Sequence, residues 1–217
     1  MVSFSEASTS PSERGKVFEE YFPGQKFDNH FILLPSRITK QKGILEAVGA
    51  LAIINKGAKK YKLLLTGMAK PFDSDYAKSV WKRIDELGMR EYILVPNRVI
   101  DRSNLSIFFK SAKLVVIPSW YEGLGLAAIE AQYLGVPLVA ADATGLNEVV
   151  DNGENGVLFT PKDSQSMAKA MLDILNKEID VDKMVENAKC TVKKFSLKNH
   201  IDELENGYGE LTERSES

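Results

Sequence analysis

The chain has 217 residues, of which 44% are hydrophobic and 27% are charged, and its formal net charge is −2. This composition is typical of a globular protein with one large domain or two very small ones. The near-neutral charge gives no electrostatic reason to expect binding to nucleic acid or to an anionic membrane surface. The single cysteine, Cys190, cannot form an internal disulfide, and His30 and His200 have no Cys or His at metal-ligand spacing, so no zinc site is expected.

The sequence also limits the expected location of the protein. No run approaches the roughly 18 apolar residues that a membrane-spanning helix requires, and residues 1–15 are polar, unlike a signal peptide. Together with the unpaired Cys190, this pattern favours a reducing, cytoplasmic compartment. Attachment to a membrane surface through a part of the protein outside this chain stays open.

The predicted elements divide the chain into three parts. Residues 1–28 contain Ser, Pro and charge with little periodicity, and they are predicted to form a flexible or peripheral arm. Residues 29–195 alternate short apolar segments with amphipathic ones, and residues 196–217 are predicted to form a C-terminal helix and a polar tail. The predicted strands are 31–34, 62–66, 92–95, 114–117, 137–141 and 157–159. The predicted helices are 43–56, 74–87, 103–111, 124–134, 145–150, 164–177 and 181–194.

Alternation of strands and helices with short connections predicts an α/β fold: a doubly wound, Rossmann-like parallel sheet of about six strands. Prolines mark several boundaries between these elements. Asp163 is the predicted N-cap of the helix that begins at Ser164. In such sheets the ligand binds at the carboxyl ends of the strands, so the loops that follow the strands are the places to look for chemistry.

The loop after the first predicted strand reads PSRITKQKG over residues 35–43 and precedes an apolar helix. Arg37 and Lys42 place two cations in this loop at the carboxyl end of the strand, where an open α/β sheet binds its ligand. Lys40 is interpreted as a solvated neighbour. Taken alone, this basic loop is equally consistent with an ordinary charged surface.

The loop after the fourth predicted strand reads WYEGLGLAAIE over residues 120–130, and a helix begins inside it. Gly123 and Gly125 expose backbone N–H groups at the start of that helix, which is a favourable position for an anion. Glu122 and Glu130 would repel an anion unless they bind another part of the same ligand. A ligand with both phosphates and hydroxyls, such as a sugar nucleotide, satisfies both groups.

Glu130 shares a helix face with Leu126 and Leu134, which predicts that its side chain faces protein rather than solvent. Residues 123–128 also match the dinucleotide-binding fingerprint G-x-G-x-x-A. That fingerprint requires glycine directly after the strand, whereas residues 118–122 intervene here, and Glu122 would then lie beside a pyrophosphate. A nicotinamide-binding site is therefore disfavoured.

Three segments together resemble one known family. Residues 122–130 resemble the E-x7-E signature of retaining glycosyltransferases of family 4, which have the GT-B fold. Residues 35–43 resemble the family's G-R-[LI]-x-x-x-K-G loop, with Ser36 in place of the usual glycine. Residues 143–159 resemble its G-G-x-x-E-[VI]-[VI]-x-[DN]-G segment, with Ala-Thr-Gly where a glycine pair is common. The motifs occur in the family's order over roughly residues 31–195.

The resemblance implies a set of roles for these residues. Arg37 and Lys42 would stabilise the leaving diphosphate, Glu122 would orient the donor sugar or stabilise its developing positive charge, and Glu130 would hold the ribose. Val99, in the loop after the third strand, would lie along the base. The backbone that would receive phosphate and sugar hydroxyls belongs to Gly123, Leu124, Gly125, Leu126 and Ala127. The resemblance implies no metal and no cofactor, the donor substrate being a UDP-, GDP- or ADP-sugar.

Enzymes of the GT-B fold have two lobes, and the donor binds mainly to the C-terminal one. Residues 1–28 are too few to form an acceptor lobe, so we expect this chain to be the donor lobe of a longer or two-chain transferase. The expected partners are a nucleotide sugar and an N-terminal acceptor-binding lobe or subunit. Two alternatives stay open: a non-catalytic nucleotide-sugar-binding module, and an epimerase or phosphorylase of similar two-lobed architecture.

Overall fold

The computed structural model describes residues 10–25, 30–67 and 75–193 of the chain. Helices and strands alternate along these residues up to the fifth strand. The helices are α1 (Pro11–Tyr21), α2 (Ile44–Ile54), α3 (Asp75–Glu86), α4 (Arg102–Ser111), α5 (Leu126–Tyr133), α6 (Ser164–Leu175) and α7 (Val181–Val192). The strands are β1 (Phe31–Arg37), β2 (Lys62–Gly67), β3 (Ile93–Leu94), β4 (Leu114–Ile117), β5 (Leu138–Ala141) and β6 (Val157–Phe159).

The strands form one parallel sheet of six in the order β3-β2-β1-β4-β5-β6. The chain starts in the middle of the sheet, winds outward to β3 and then crosses back to β4. This order is that of the doubly wound Rossmann fold, so the predicted fold class is confirmed. The direction of winding reverses between β1 and β4, and a crevice opens there at the carboxyl ends of the strands.

Strands β4 and β5 are apolar throughout because helices cover both faces of the sheet. All four residues of β4 and all four of β5 are buried. Among the helices, α2 packs against α6 and α3, whereas α5 packs against α7. Ser164, the first residue of α6, donates a hydrogen bond from its hydroxyl to the carbonyl of Glu46 in α2 at 2.9 Å. The covered sheet is thus a rigid support for the loops at its carboxyl edge.

The end of β1 departs from regular pairing with β2, and this irregularity determines the position of Arg37. The register with β2 shifts between Leu34 and Arg37, where Pro35 cannot donate a ladder hydrogen bond. Arg37 then pairs with Gly67 of β2. A Cβ at Gly67 would lie 2.1 Å from the carbonyl oxygen of Ser36, so only glycine allows the two strand ends to come this close.

The predicted arm over residues 1–28 is wrong where the structure describes it. Residues 11–21 form α1, which begins with a capping box between Ser10 and Glu13. Phe18, Tyr21 and Phe22 are buried in the hydrophobic core. Their i, i+3, i+4 spacing makes a narrow apolar stripe, which the surrounding charged residues obscured in the sequence. The helix belongs to the folded domain.

Other predicted elements differ in smaller ways. Residues 144–149 form turns rather than the predicted helix over 145–150. Helix α5 begins at Leu126 rather than at residue 124 because Gly125 is its N-cap in a left-handed conformation. Asp163 is confirmed as the N-cap of α6, accepting from the backbone N–H groups of Gln165 and Ser166. The predicted helix and tail over 196–217 lie outside the described residues. Within the described ranges, no helix has the length and apolar character needed to cross a membrane.

Candidate functional site

A cleft of ≈ 410 Å³ opens at the carboxyl ends of β1 and β4, where the winding of the sheet reverses. The loop after β1 forms one wall, and the loop after β4 with the start of α5 forms the other. Nine of the ten sequence-predicted site residues line this cleft, and Val99 does not. The nine are Arg37, Lys42, Glu122, Gly123, Leu124, Gly125, Leu126, Ala127 and Glu130.

The two predicted cations occupy different environments. Arg37 is exposed at the end of β1 and has no side-chain hydrogen bond or ion pair within the described residues. Lys42 ends a short 3-10 turn, is partly buried, and forms an ion pair with the Oε1 atom of Glu122. Arg37 therefore contributes uncompensated positive charge to the cleft, whereas the charge of Lys42 is balanced by a carboxylate.

Close contact between the two loops brings Lys42 to Glu122. Gly43 adopts a left-handed conformation with a φ of 62°, and a Cβ at this position would lie 2.1 Å from the carbonyl oxygen of Pro118. The backbone N–H of Trp120 donates to the carbonyl of Gln41 at 2.8 Å. Only glycine permits both the conformation and the approach. Gly43 thus determines the distance between the walls of the cleft.

Glu122 is fixed through both its backbone and its side chain. Its backbone N–H donates to the carbonyl of Thr144 at 2.9 Å, and the Ser119 hydroxyl donates to its Oε1 atom at 2.6 Å. Gly145 lies against the Glu122 carbonyl with a φ of 82°, and a Cβ there would be 2.2 Å from that oxygen. The segment after β5 therefore supports Glu122 from behind.

The start of α5 provides an open helix N-terminus. Gly125 is the N-cap with a φ of 62°, and no side chain caps the helix. The Ala128 N–H donates to the Gly125 carbonyl at 2.8 Å, whereas the backbone N–H groups of Leu126 and Ala127 have no backbone partner within the described residues. These two groups are available to an anion, which the helix dipole also favours. Leu124 and Leu126 beside this turn are exposed, although both are large apolar residues. A ligand or another polypeptide could cover them.

Glu130 lies on α5 one turn further along and lines the cleft in a half-buried position. Burial raises the pKa of its carboxyl group, and the positive charge of Arg102 partly opposes this effect. The sequence predicts that Glu130 shares a helix face with Leu126 and Leu134. In the structure Leu134 is buried, whereas Leu126 is exposed. Glu130 thus points into the cleft between the covered and the open parts of this face.

Val99 is 71% exposed and lies outside the cleft lining. Its neighbour Arg98 forms ion pairs with Glu20 and Asp101 and stacks over the ring of Tyr21 at 4.5 Å. The loop after β3 is therefore held by α1, a helix that the sequence did not predict. The contact of Val99 with a nucleotide base stays a prediction.

Sequence reasoning missed one residue of the site altogether, Ser119. It follows Pro118 directly after β4, where a polar residue after a strand of four buried apolar residues could have marked it. Among the described residues, no group of three or more His, Cys, Asp or Glu side chains could hold a metal ion. The polar chemistry of the cleft comes from the cations, carboxylates, hydroxyls and backbone groups named above.

Gly145→Ala is expected to destabilise the chain and displace Glu122, because the left-handed conformation costs roughly 1–2 kcal/mol for a non-glycine residue and the new Cβ meets the Glu122 carbonyl. Gly153→Ala is a matched control: its φ is 83°, but a Cβ there meets nothing within 4 Å. Thermal unfolding should show a larger loss for Gly145→Ala. Equal losses would mean that backbone strain alone matters and that Gly145 does not support Glu122.

Comparison with known proteins identifies the family. The protein-family model for glycosyl transferases group 1 matches residues 18–191 of this chain. The chain belongs to this family. A relative, the capsular polysaccharide biosynthesis glycosyltransferase of Staphylococcus aureus, is 31% identical over 87% of this chain and 48% of its own length. The chain spans about half the length of the curated relatives that it matches.

Solved structures share the fold of this chain. The C-terminal domain of a glycosyl transferase group 1 family protein from Francisella tularensis has a TM-score of 0.73 and 24% identity, and the match covers 90% of this chain and 96% of that domain. Anabaena HepE in complex with UDP has a TM-score of 0.76 and 24% identity, with 93% of this chain and 54% of HepE covered. The resemblance to GT-B glycosyltransferases is therefore confirmed at the level of family and fold.

Proposed function

We propose that this chain binds the nucleotide diphosphate sugar of a retaining glycosyltransferase and forms the donor half of its active site. The sugar would pass to an acceptor hydroxyl held by another part of the protein. The observation that carries this proposal is the meeting of the cations after β1 with the carboxylates after β4 in one cleft. Such a site matches a ligand that has phosphates at one end and hydroxyls at the other.

The diphosphate is assigned to the positively charged part of the cleft. Arg37 presents a guanidinium without a partner in the described residues, and this group can form two parallel hydrogen bonds to phosphate oxygens. The free N–H groups at the start of α5 face the same space. As the glycosidic bond breaks, these groups and Lys42 stabilise the charge that develops on the leaving diphosphate. The donor would be a UDP-, GDP- or ADP-sugar.

The two carboxylates are assigned to hydroxyl groups at opposite ends of the donor. Glu130 accepts hydrogen bonds from the ribose, and Glu122 contacts the transferred sugar or stabilises its positive charge. A carboxylate close to a phosphate would normally weaken binding. The ion pair between Lys42 and Glu122 neutralises that charge before the donor enters. Lys42 is thus the counter-charge of Glu122 before the donor enters and of the diphosphate afterwards.

A second candidate, a nucleotide-sugar-binding module without catalytic activity, uses the same cleft. The observation that favours it is the apolar surface that Tyr121, Leu124 and Leu126 leave exposed next to the cleft, as expected for a face that another lobe or subunit covers. The two candidates differ only in whether sugar is transferred once an acceptor lobe is present.

Calorimetry of nucleoside diphosphates and monophosphates tests the proposed diphosphate site. Hydrogen bonds to charged groups contribute about 1.5–3 kcal/mol each, so UDP, GDP or ADP should bind at least about tenfold more tightly than its monophosphate. Arg37→Ala should remove most of this difference. Lys42→Ala should weaken binding further, because it also leaves the Glu122 carboxylate unpaired next to the phosphates.

Lys40→Ala is the matched control for this experiment. Lys40 lies in the same loop but is exposed and does not line the cleft. Its replacement should leave the preference for diphosphate unchanged. If wild-type chain bound diphosphates and monophosphates equally well for all three bases, the assignment of Arg37 and Lys42 would be wrong.

Glu130→Gln is expected to stabilise the empty chain at neutral pH and to weaken nucleotide binding roughly tenfold, about 1.4 kcal/mol. Burial raises the pKa of Glu130, so its ionised form is disfavoured in the folded state. At a pH below the pKa of a glutamate in the unfolded chain, Glu130 of the wild type is protonated in both the folded and the unfolded state. The Gln variant should therefore lose its stability advantage there. Thermal unfolding at neutral and acidic pH measures this difference. A Gln variant less stable than wild type at neutral pH would contradict it.

The same raised pKa predicts how nucleotide affinity depends on pH. The ionised carboxylate is the form that accepts hydrogen bonds from ribose hydroxyls. Wild-type affinity should therefore decrease on acidification at a higher pH than an ordinary glutamate would require. Glu130→Gln should lose this component of the pH profile. An unchanged profile in the variant would show that Glu130 does not contact the ribose.

A further inference from the structure

Ser119 is the most completely buried polar side chain at the cleft, with 1% of its surface exposed. Its hydroxyl donates to Oε1 of Glu122 at 2.6 Å. We propose that Ser119 is a positioning residue, which keeps the Glu122 carboxylate directed at the donor sugar when the diphosphate draws Lys42 away. This inference rests on the proposed function of the cleft as a donor site.

The two partners of Glu122 share one oxygen. Both the ammonium of Lys42 and the hydroxyl of Ser119 contact Oε1. In the described part of the chain, Oε2 has no hydrogen bond or ion pair. One carboxylate oxygen is thus held by the protein, and the other is left to accept a hydrogen bond from a sugar hydroxyl or to face a developing positive charge.

Lys42 and Ser119 are not equivalent as partners of Glu122. The lysine has a long side chain with four rotatable bonds, it is 21% exposed, and its ammonium lies in a cleft that would receive a diphosphate. A phosphate group with two charges competes well with a single carboxylate for this ammonium. The ion pair between Lys42 and Glu122 therefore opens when the donor binds.

Ser119 cannot leave Glu122 in the same way. Its side chain has one rotatable heavy-atom bond, it starts two residues beyond β4, and the surrounding protein excludes solvent from it. The backbone of Glu122 is held separately by Thr144. Ser119 is consequently the contact that fixes the side-chain torsions of Glu122 once Lys42 has moved, and little conformational entropy is lost in doing so.

This role predicts a specific pattern of binding. A bare nucleotide has no sugar hydroxyl to donate to Glu122, so its affinity should change little with the orientation of that carboxylate. A sugar-bearing donor does reach it. Ser119 should therefore contribute to the extra affinity that the sugar adds. Replacing a residue that is needed only for folding would instead change the affinities for bare nucleotide and for donor alike.

The experiment compares the affinity of the nucleoside diphosphate that wild-type chain binds best with that of its sugar conjugate. Ser119→Ala should lower the donor-to-nucleotide affinity ratio by about tenfold, the size expected for a hydrogen bond to a charged group, and leave bare nucleotide within about twofold. Ser119→Cys retains the shape with a weaker donor, and it should lower the ratio as well. Ser36→Ala is the control, because Ser36 lines the same cleft but donates to the carbonyl of Arg37.

A Glu122→Ala background completes the test. There the replacement of Ser119 by alanine should change the ratio no further, since its partner is gone. An unchanged ratio in Ser119→Ala, or equal losses for nucleotide and donor, would overturn the positioning role while the proposed donor site stands. Failure of wild-type chain to bind any of the three diphosphates would instead overturn the proposed function itself.

Discussion

Phe18→Ala is expected to lower the free energy of unfolding by about 3–5 kcal/mol, the usual cost of removing a buried aromatic ring. Phe18 is buried, stacks on Phe22 with ring centroids 4.5 Å apart, and lies 6.3 Å from the ring of Phe108 in α4. Domains are stable by only about 5–15 kcal/mol, so this one substitution removes a large part of the total. Chemical denaturation followed by fluorescence measures the change.

Lys16→Ala is the control on the same helix, since Lys16 is exposed and an exposed substitution typically changes stability by less than about 0.5 kcal/mol. A chain shortened to begin at residue 29 should behave like Phe18→Ala or worse. If the shortened chain unfolded at the same denaturant concentration as the full chain, α1 would be peripheral after all.

The stability of α1 also bears on the candidate site. The backbone N–H of Asn97 donates to the carbonyl of Tyr21 at 2.9 Å, and the Tyr21 hydroxyl donates to Asp101 at 2.7 Å. The loop after β3, which was predicted to lie along the nucleotide base, is thus held in place by a helix at the other end of the sequence. Loss of α1 should release this loop together with the core contacts.

The sheet was predictable from sequence because each of its strands contains a short apolar run with buried residues. Strands β4 and β6 begin and end where the sequence predicts, since short apolar runs bounded by turns or prolines have little alternative. Helix α1 was missed because its apolar stripe has three aromatic residues among charged ones. The apolar spacing over 145–150 predicts a helix, whereas residues 144–149 form turns in which Gly145 adopts a left-handed conformation.

The candidate site was predictable only in part. Sequence motifs identified the cations after β1 and the carboxylates after β4, and sheet topology explains why the two loops meet. The ion pair between Lys42 and Glu122 joins residues 80 positions apart, and it depends on Gly43 and Pro118 coming into contact. The hydrogen bond from Ser119 depends on the same geometry. Side-chain pairing of this kind follows from three-dimensional packing, which no single motif contains.

Sugar transfer is expected to require an acceptor lobe in addition to this chain. Positioning of an acceptor hydroxyl at the anomeric carbon, with water kept out, accounts for about 7–11 kcal/mol of a barrier in well-oriented reactions. The chain alone leaves the cleft open on the side where Tyr121, Leu124 and Leu126 are exposed. We therefore expect slow donor hydrolysis at most from the chain alone.

The decisive assay supplies UDP-, GDP- and ADP-sugars with sugar or lipid acceptors to the purified chain, first alone and then with a polypeptide that contains the N-terminal half of a full-length relative. Transfer that appears only with the added lobe, and that Glu122→Ala abolishes without loss of nucleotide binding, would support the donor-half proposal. Binding without transfer under both conditions would favour the non-catalytic module. Turnover by the chain alone near ~1–10 per second, an ordinary enzyme rate, would contradict both, because the chain would then form an acceptor site of its own.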